Sequence, residues 1–168
     1  MEKELIKFEE TSSAIPFIKV KHNNIQFNLV IDTGCTTSCI DKGVLDLLLH
    51  NVTDRQTDGI IYADGSQDDA VQIVEIPITI GENNYLEQFN AVDFHLMSQQ
   101  VKDNFGITVR GLLGSEFLYK HSLILDFDKH LIRYTDGRQT SIEFGPSELP
   151  KATEPKRRNS VKRVCTKN

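Results

Sequence analysis

The chain has 168 residues, 39% hydrophobic and 26% charged, which is one domain's worth of sequence with enough apolar content for its own core and excludes wholesale disorder. No apolar run approaches the roughly 18 residues of a membrane span, and Met1-Glu2-Lys3-Glu4 lacks a signal peptide's basic-then-apolar start, so a cytoplasmic protein with no membrane partner is expected. The net charge of −5 divides unevenly: residues 151–168 hold seven Lys/Arg against Glu154 alone, +6, while residues 1–150 hold twelve against twenty-three Asp/Glu, −11, so nucleic acid is repelled except for weak binding through the tail.

In chain order, residues 1–14 form an N-terminal strand or extension ahead of the domain, which is set at 15–148. Ile15 to Lys21 and Ile25 to Ile31, with His22-Asn23-Asn24 between them, predict a β-ribbon. Asp41 is a candidate N-cap, and the i,i+4 pairs Val44/Leu48 and Leu45/Leu49 predict a helix through residue 49. Ile61-Tyr62-Ala63-Asp64-Gly65-Ser66 has the signature of a hairpin with Asp-Gly at its tip. Val74, Ile76, Ile78 and Ile80 alternate up to the turn Gly81-Glu82-Asn83-Asn84, and Tyr85 to Phe94 resumes the extended pattern as a second ribbon. Pro77 has the opposite parity and suits an edge or a bulge. Gly111-Leu112-Leu113-Gly114 predicts a strand lying tightly against another backbone, and Ser115 to Tyr119 a short helix after it. Leu123 to Phe127, the turn Asp128-Lys129-His130, and Leu131 to Tyr134 make a last hairpin. Residues 149–168, opening with Pro150 and Pro155, form a basic tail expected to be disordered. The class is all-β with two short helices, in a closed or half-closed barrel.

Enzyme and binding module both survive this reading. Asp32-Thr33-Gly34 follows the apolar strand end Leu29-Val30-Ile31, which would partly desolvate the carboxyl, and Gly34 lets backbone or ligand approach it. Taken alone, the tripeptide also fits a strand-ending Asx turn in which Asp32 bonds the N–H groups ahead of it. Cys35, Cys39 and Cys165 are an odd, sparse set without C-x-x-C spacing, so neither a disulfide framework nor a metal is expected. His22, His50, His95, His121 and His130 are scattered and expected in exposed loops, giving no support to a Ser/His or Cys/His hydrolase.

The segments Ile31-Asp32-Thr33-Gly34-Cys35-Thr36-Thr37-Ser38, Tyr62 to Ser66 and Leu112-Leu113-Gly114, in this order, resemble the retropepsin-like aspartic proteases, the clan of the retroviral proteases and their single-domain bacterial relatives. The resemblance spans roughly residues 15–135. It implies a retropepsin-like barrel with one lobe per chain, Asp32 as catalytic residue, and support from Thr33, Gly34, Cys35, Ser38, Leu113 and Gly114. Gly34, Thr36 and the flap residues Tyr62, Ala63, Asp64 and Gly65 would bind substrate. Thr33 would form a hydrogen-bond lock between subunits. Cys35 stands where the family has Ala or Ser. Because the chemistry needs two carboxylates sharing a proton, a single motif implies a homodimer acting on a peptide or protein substrate without a cofactor. The competing expectation is a non-catalytic dimer of the same fold that binds or scaffolds peptides.

Overall fold

The computed structural model describes residues 6–12, 14–57, 59–61, 65–68 and 71–134. The strands are β1 (Ile6–Lys7), β2 (Glu9–Glu10), β3 (Pro16–His22), β4 (Ile25–Ile31), β5 (Cys39–Asp41), β6 (Asn51–Thr57), β7 (Ile60–Ile61), β8 (Gln67–Asp68), β9 (Val71–Ile80), β10 (Asn83–Val92), β11 (Val109–Leu113), β12 (Leu123–Asp126) and β13 (Leu131–Tyr134). The helices are α1 (Lys42–Leu45), α2 (His95–Phe105) and α3 (Ser115–Lys120). The expected two helices are therefore three among the described residues. The tail at 149–168 lies outside them, as do residues 135–148 of the expected domain.

Period-two sequence becomes ribbon, as the alternation requires. Asn23 takes a positive φ of 52° in the turn that folds β4 back on β3, with Phe17 opposite Val30 and His22 opposite Ile25. β9 and β10 pair from Ile80↔Asn83 to Ile73↔Asn90, and Val74, Ile76, Ile78 and Ile80 all turn inward, none more than 2% exposed. Pro77 is exposed, and its lateral edge of β9 falls between the β6 ladder, which stops at Glu75, and the β3 rung at Thr79.

Closure comes from pairings distant in sequence. The order β3-β4-β11-β5-β10-β9 returns to β3 through the rung Lys21↔Thr79 and makes a closed six-stranded barrel, with β6 and β2 as added edges. Two neighbours run parallel, β4 with β11 and β5 with β10. The core inside holds Val20, Leu29, Ile40, Phe89, Leu113 and Phe117 among others. A second cluster, of Cys39, Val71, Val92, Phe94, Val109 and Leu112, lies beside α2 with Val101 and Ile107 against it. β1, β13 and β12 form a separate three-stranded sheet.

Four of the five histidines depart from the expected exposed loops: His95 is exposed but opens α2, and His50 is half-buried with its Nδ1 2.8 Å from the Leu48 carbonyl oxygen. His22 is 2% exposed; its Nδ1 donates to the Pro77 carbonyl at 2.7 Å, and its Nε2 accepts the Leu49 N–H at 2.9 Å. The Leu47 and Leu48 N–H groups turn to the i−3 carbonyls of Val44 and Leu45, at 3.0 Å each, and the histidine takes the Leu49 amide, so α1 ends at Leu45 instead of reaching residue 49. His121 is half-buried and bonded through Nε2 to Glu87, whose side chain is 7% exposed.

Candidate active site

Asp32 follows the last residue of β4, and the barrel fixes its backbone before its side chain is considered. Its N–H donates to Leu113 O at 3.0 Å, continuing the β4–β11 ladder in which Val30 faces Leu112 and Ile31 faces Leu113. Between Val109 and Leu112, β11 carries one residue more than β4, and the bulge contains Gly111 at φ +152°. A methyl group there would meet the Cys39 carbonyl oxygen at 2.2 Å. Glycine lets β11 lie against β5 and bring Leu112-Leu113-Gly114 beneath the Asp32 loop.

The loop then closes on itself and is braced from three sides. Cys35 N–H donates to Asp32 O at 3.2 Å, and Gly34 N–H to Asp32 Oδ1 at 2.9 Å, so the Asx-turn bond is formed while the carboxyl stays half-buried at the surface. From α3, Ser115 N–H donates to Cys35 O at 2.8 Å and Glu116 N–H to Thr36 O at 3.4 Å. From the junction of β11 and α3, Gly114 N–H donates to Ser38 Oγ at 3.0 Å. From β10, Asn90 N–H donates to Ser38 O at 2.9 Å and its side-chain amide to Thr37 Oγ1 at 2.9 Å. Gly114 has no room for a side chain, since a methyl group would meet Thr37 C at 2.7 Å and Glu116 Oε2 at 2.4 Å.

Asp32, Cys35, Ser38, Leu113 and Gly114 thus form one connected cluster, in which Ser38, Leu113 and Gly114 are buried. Thr33, Gly34 and Thr36 are exposed on its outer rim. Cys35 is half-buried, and its Sγ–H is directed to Thr37 O at 3.2 Å. Burial first, then the neighbouring Cys35, Glu116 and Asp32, push the Cys39 thiol from 9.0 up to about 12. β7 and β8 pair Ile60↔Asp68 and Ile61↔Gln67 as the expected hairpin requires. Of its tip, Gly65 is exposed at φ +83°, and Tyr62, Ala63 and Asp64 lie outside the described residues.

The sequence reading missed Glu116 and Asn90. Glu116 had one legible signal, an acid in the first turn of a predicted helix after Gly114. Asn90 had none, because its role follows from β5 and β10 being neighbours. Among the described residues no group of three His, Cys, Asp or Glu side chains is placed to hold a metal, and no helix is long and apolar enough to cross a membrane.

Solved structures similar to this fold include these two. The retroviral protease-like domain of Ddi1 from Leishmania major shares 10% identity at a TM-score of 0.45, over 74% of this chain and 97% of that one. A retropepsin-like aspartic protease from Rickettsia conorii shares 14% identity at a TM-score of 0.42, over 77% of this chain and 86% of that one. No protein-family model matches the sequence, and no curated protein sequence does.

Proposed function

We propose that the chain is an aspartic-type endopeptidase, active as a homodimer, that hydrolyses extended polypeptides with one Asp32 from each subunit and a water between them. The observation that carries the reading is how Asp32 is presented: a half-buried carboxyl at the surface of a loop whose carbonyls and amides are tied to α3, β11 and β10. A loop so constrained keeps its carboxyl in register with whatever faces it. The exposed Thr33 and Gly34 offer the adjoining surface to a second subunit.

Two such carboxyls close together cannot both ionise, so the pair shares one proton. The ionised member takes a proton from water as the oxygen attacks the scissile carbonyl carbon; the protonated member donates to the carbonyl oxygen. Collapse of the diol breaks the C–N bond: the proton gained from water goes to the departing amine, and one diol hydroxyl returns its proton to the other carboxylate, which restores the shared-proton pair. Gly34, Thr36 and the flap segment Tyr62-Ala63-Asp64-Gly65 would hold the substrate as an added strand. The free thiols of Cys35 and Cys39 support a reducing, cytoplasmic setting.

A peptide-library digest with wild type and Asp32→Asn tests the reading. The expected result is cleavage by the wild type and none by the variant at equal fold content. Cleavage by Asp32→Asn at the wild-type rate overturns the aspartic mechanism. A wild-type dimer that binds peptides without cutting them makes the chain a binding module instead.

A further inference from the structure

The loop carrying Asp32 is gripped at two points by one residue of α3. Glu116 Oε1 accepts the Ser38 N–H at 2.5 Å, and the Glu116 N–H reaches Thr36 O at 3.4 Å. A carboxylate accepting a backbone N–H makes a short, charge-assisted bond, stronger than the neutral contacts around it. The second oxygen, Oε2, is shut off from solvent and has no hydrogen-bond partner. It lies over Gly114, where a methyl group would meet Oε2 at 2.4 Å and the Thr37 carbonyl oxygen at 2.8 Å.

A carboxylate oxygen shut off from water without a partner is destabilising, and native structures concentrate such atoms where function demands them. Here both hydrogen-bond partners of Glu116, Ser38 and Thr36, belong to the Asp32 loop, and Oε2 lies over Gly114 where β11 passes into α3. We infer that Glu116 is a positioning residue for Asp32: its carboxylate pins Ser38 and sets the loop whose other end presents the carboxyl. This inference rests on the endopeptidase reading for its kinetic consequence, but the pinning itself is a property of the loop.

The test is Glu116→Ala and Glu116→Gln in the full chain, read by steady-state kinetics and by amide hydrogen exchange at Ser38. In Glu116→Ala, kcat falls about tenfold or more while KM stays within about threefold, and Ser38 exchange accelerates. Glu116→Gln keeps an acceptor for the Ser38 N–H and puts an uncharged amide where the unpartnered Oε2 lies over Gly114. It therefore restores Ser38 protection, melts no lower than wild type, and returns kcat to within about threefold of it. If Glu116→Ala does not fold, Glu116→Asp, one methylene too short to reach Ser38, carries the same expectation. Unchanged Ser38 exchange in the shortened variants overturns the pinning, whether or not the wild type cleaves anything. Wild-type kcat in Glu116→Ala, alongside activity that Asp32→Asn abolishes, overturns the positioning role and leaves the endopeptidase reading standing. Equal loss in Glu116→Ala and Glu116→Gln overturns it too.

Discussion

Cys39 closes the Asp32 loop with a thiol that stays protonated in the folded chain up to about pH 12, against 9.0 ordinarily, chiefly because it is buried. The unfolded chain gives up this proton above pH 9, and the folded chain holds it, so stability present below pH 9 is lost as pH rises toward 12. The slope from this one group is about 1.4 kcal/mol per pH unit. Thermal midpoints measured from pH 8 upward should therefore fall more steeply for wild type than for Cys39→Ala; parallel curves would show that the thiol ionises freely. Tyr85, raised by burial and by the Tyr134 hydroxyl at 2.6 Å, steepens both curves alike at the alkaline end. At Gly114 the constraint is steric. Backbone of Thr37 at 2.7 Å cannot swing aside as a side chain can, so Gly114→Ala should cost about 1–3 kcal/mol in urea unfolding and disturb the Asp32 loop with it. A substitution that leaves the unfolding midpoint where it was would mean that β11 and the loop are not in contact.

Helix α3 is an element fixed at both ends. Its N-terminus holds the Asp32 loop, and beyond its C-terminus His121 joins Lys120 on Glu87 of β10, with Lys120 Nζ at 2.9 Å. The two partners of Glu87 are unequal. Lys120 is 54% exposed and its pair is screened, contributing at most about 1 kcal/mol, whereas the His121 side chain is 21% exposed and its ring packs against Tyr85 at 4.7 Å and Phe117 at 4.9 Å. His121→Ala should thus destabilise by about 2–3 kcal/mol and Lys120→Ala by less than 1, as measured by denaturant unfolding. The reverse order would place the lock on the lysine. At this scale the sequence was partly legible. The β3–β4, β9–β10 and β12–β13 ribbons follow from local alternation and turn residues. Helix α2 was not read in the sequence, because its apolar face is thin: Val101 packs only partly buried on the second cluster, the one fully buried residue is Ser98, held through Oγ to Val109 O at 2.7 Å, and Leu96 and Met97 are exposed. Its readable marks are at its ends: Asp93, whose Oδ1 accepts the His95 N–H at 3.0 Å, and Gly106, the left-handed C-cap at φ 72°. The overlong expectation for α1 failed from Asp46 on: Leu47 and Leu48 tighten to i−3 bonds, and the Leu49 amide goes to a histidine 27 residues away, a competitor that local spacing cannot reveal.

In the whole molecule, barrel closure and the site are one event. The motif residues could be picked out in the sequence, but not their seat: the parallel pairings β4–β11 and β5–β10 lay residues 32–38 against residues 111–116, some 80 positions on, and against Asn90. The rung Lys21↔Thr79 that completes the ring is likewise invisible to any local pattern. What the chain carries once is the Asp32-Thr33-Gly34 loop, and the central claim is that two copies of it make one site. Mixing wild type with Asp32→Asn at fixed total concentration, under conditions where subunits exchange, tests this directly. If each site needs an Asp32 from both subunits, peptidase activity falls as the square of the wild-type fraction, since mixed dimers hold a single carboxylate and are inactive. Activity that falls in simple proportion to the wild-type fraction would contradict the account, because one chain would then suffice for a complete site.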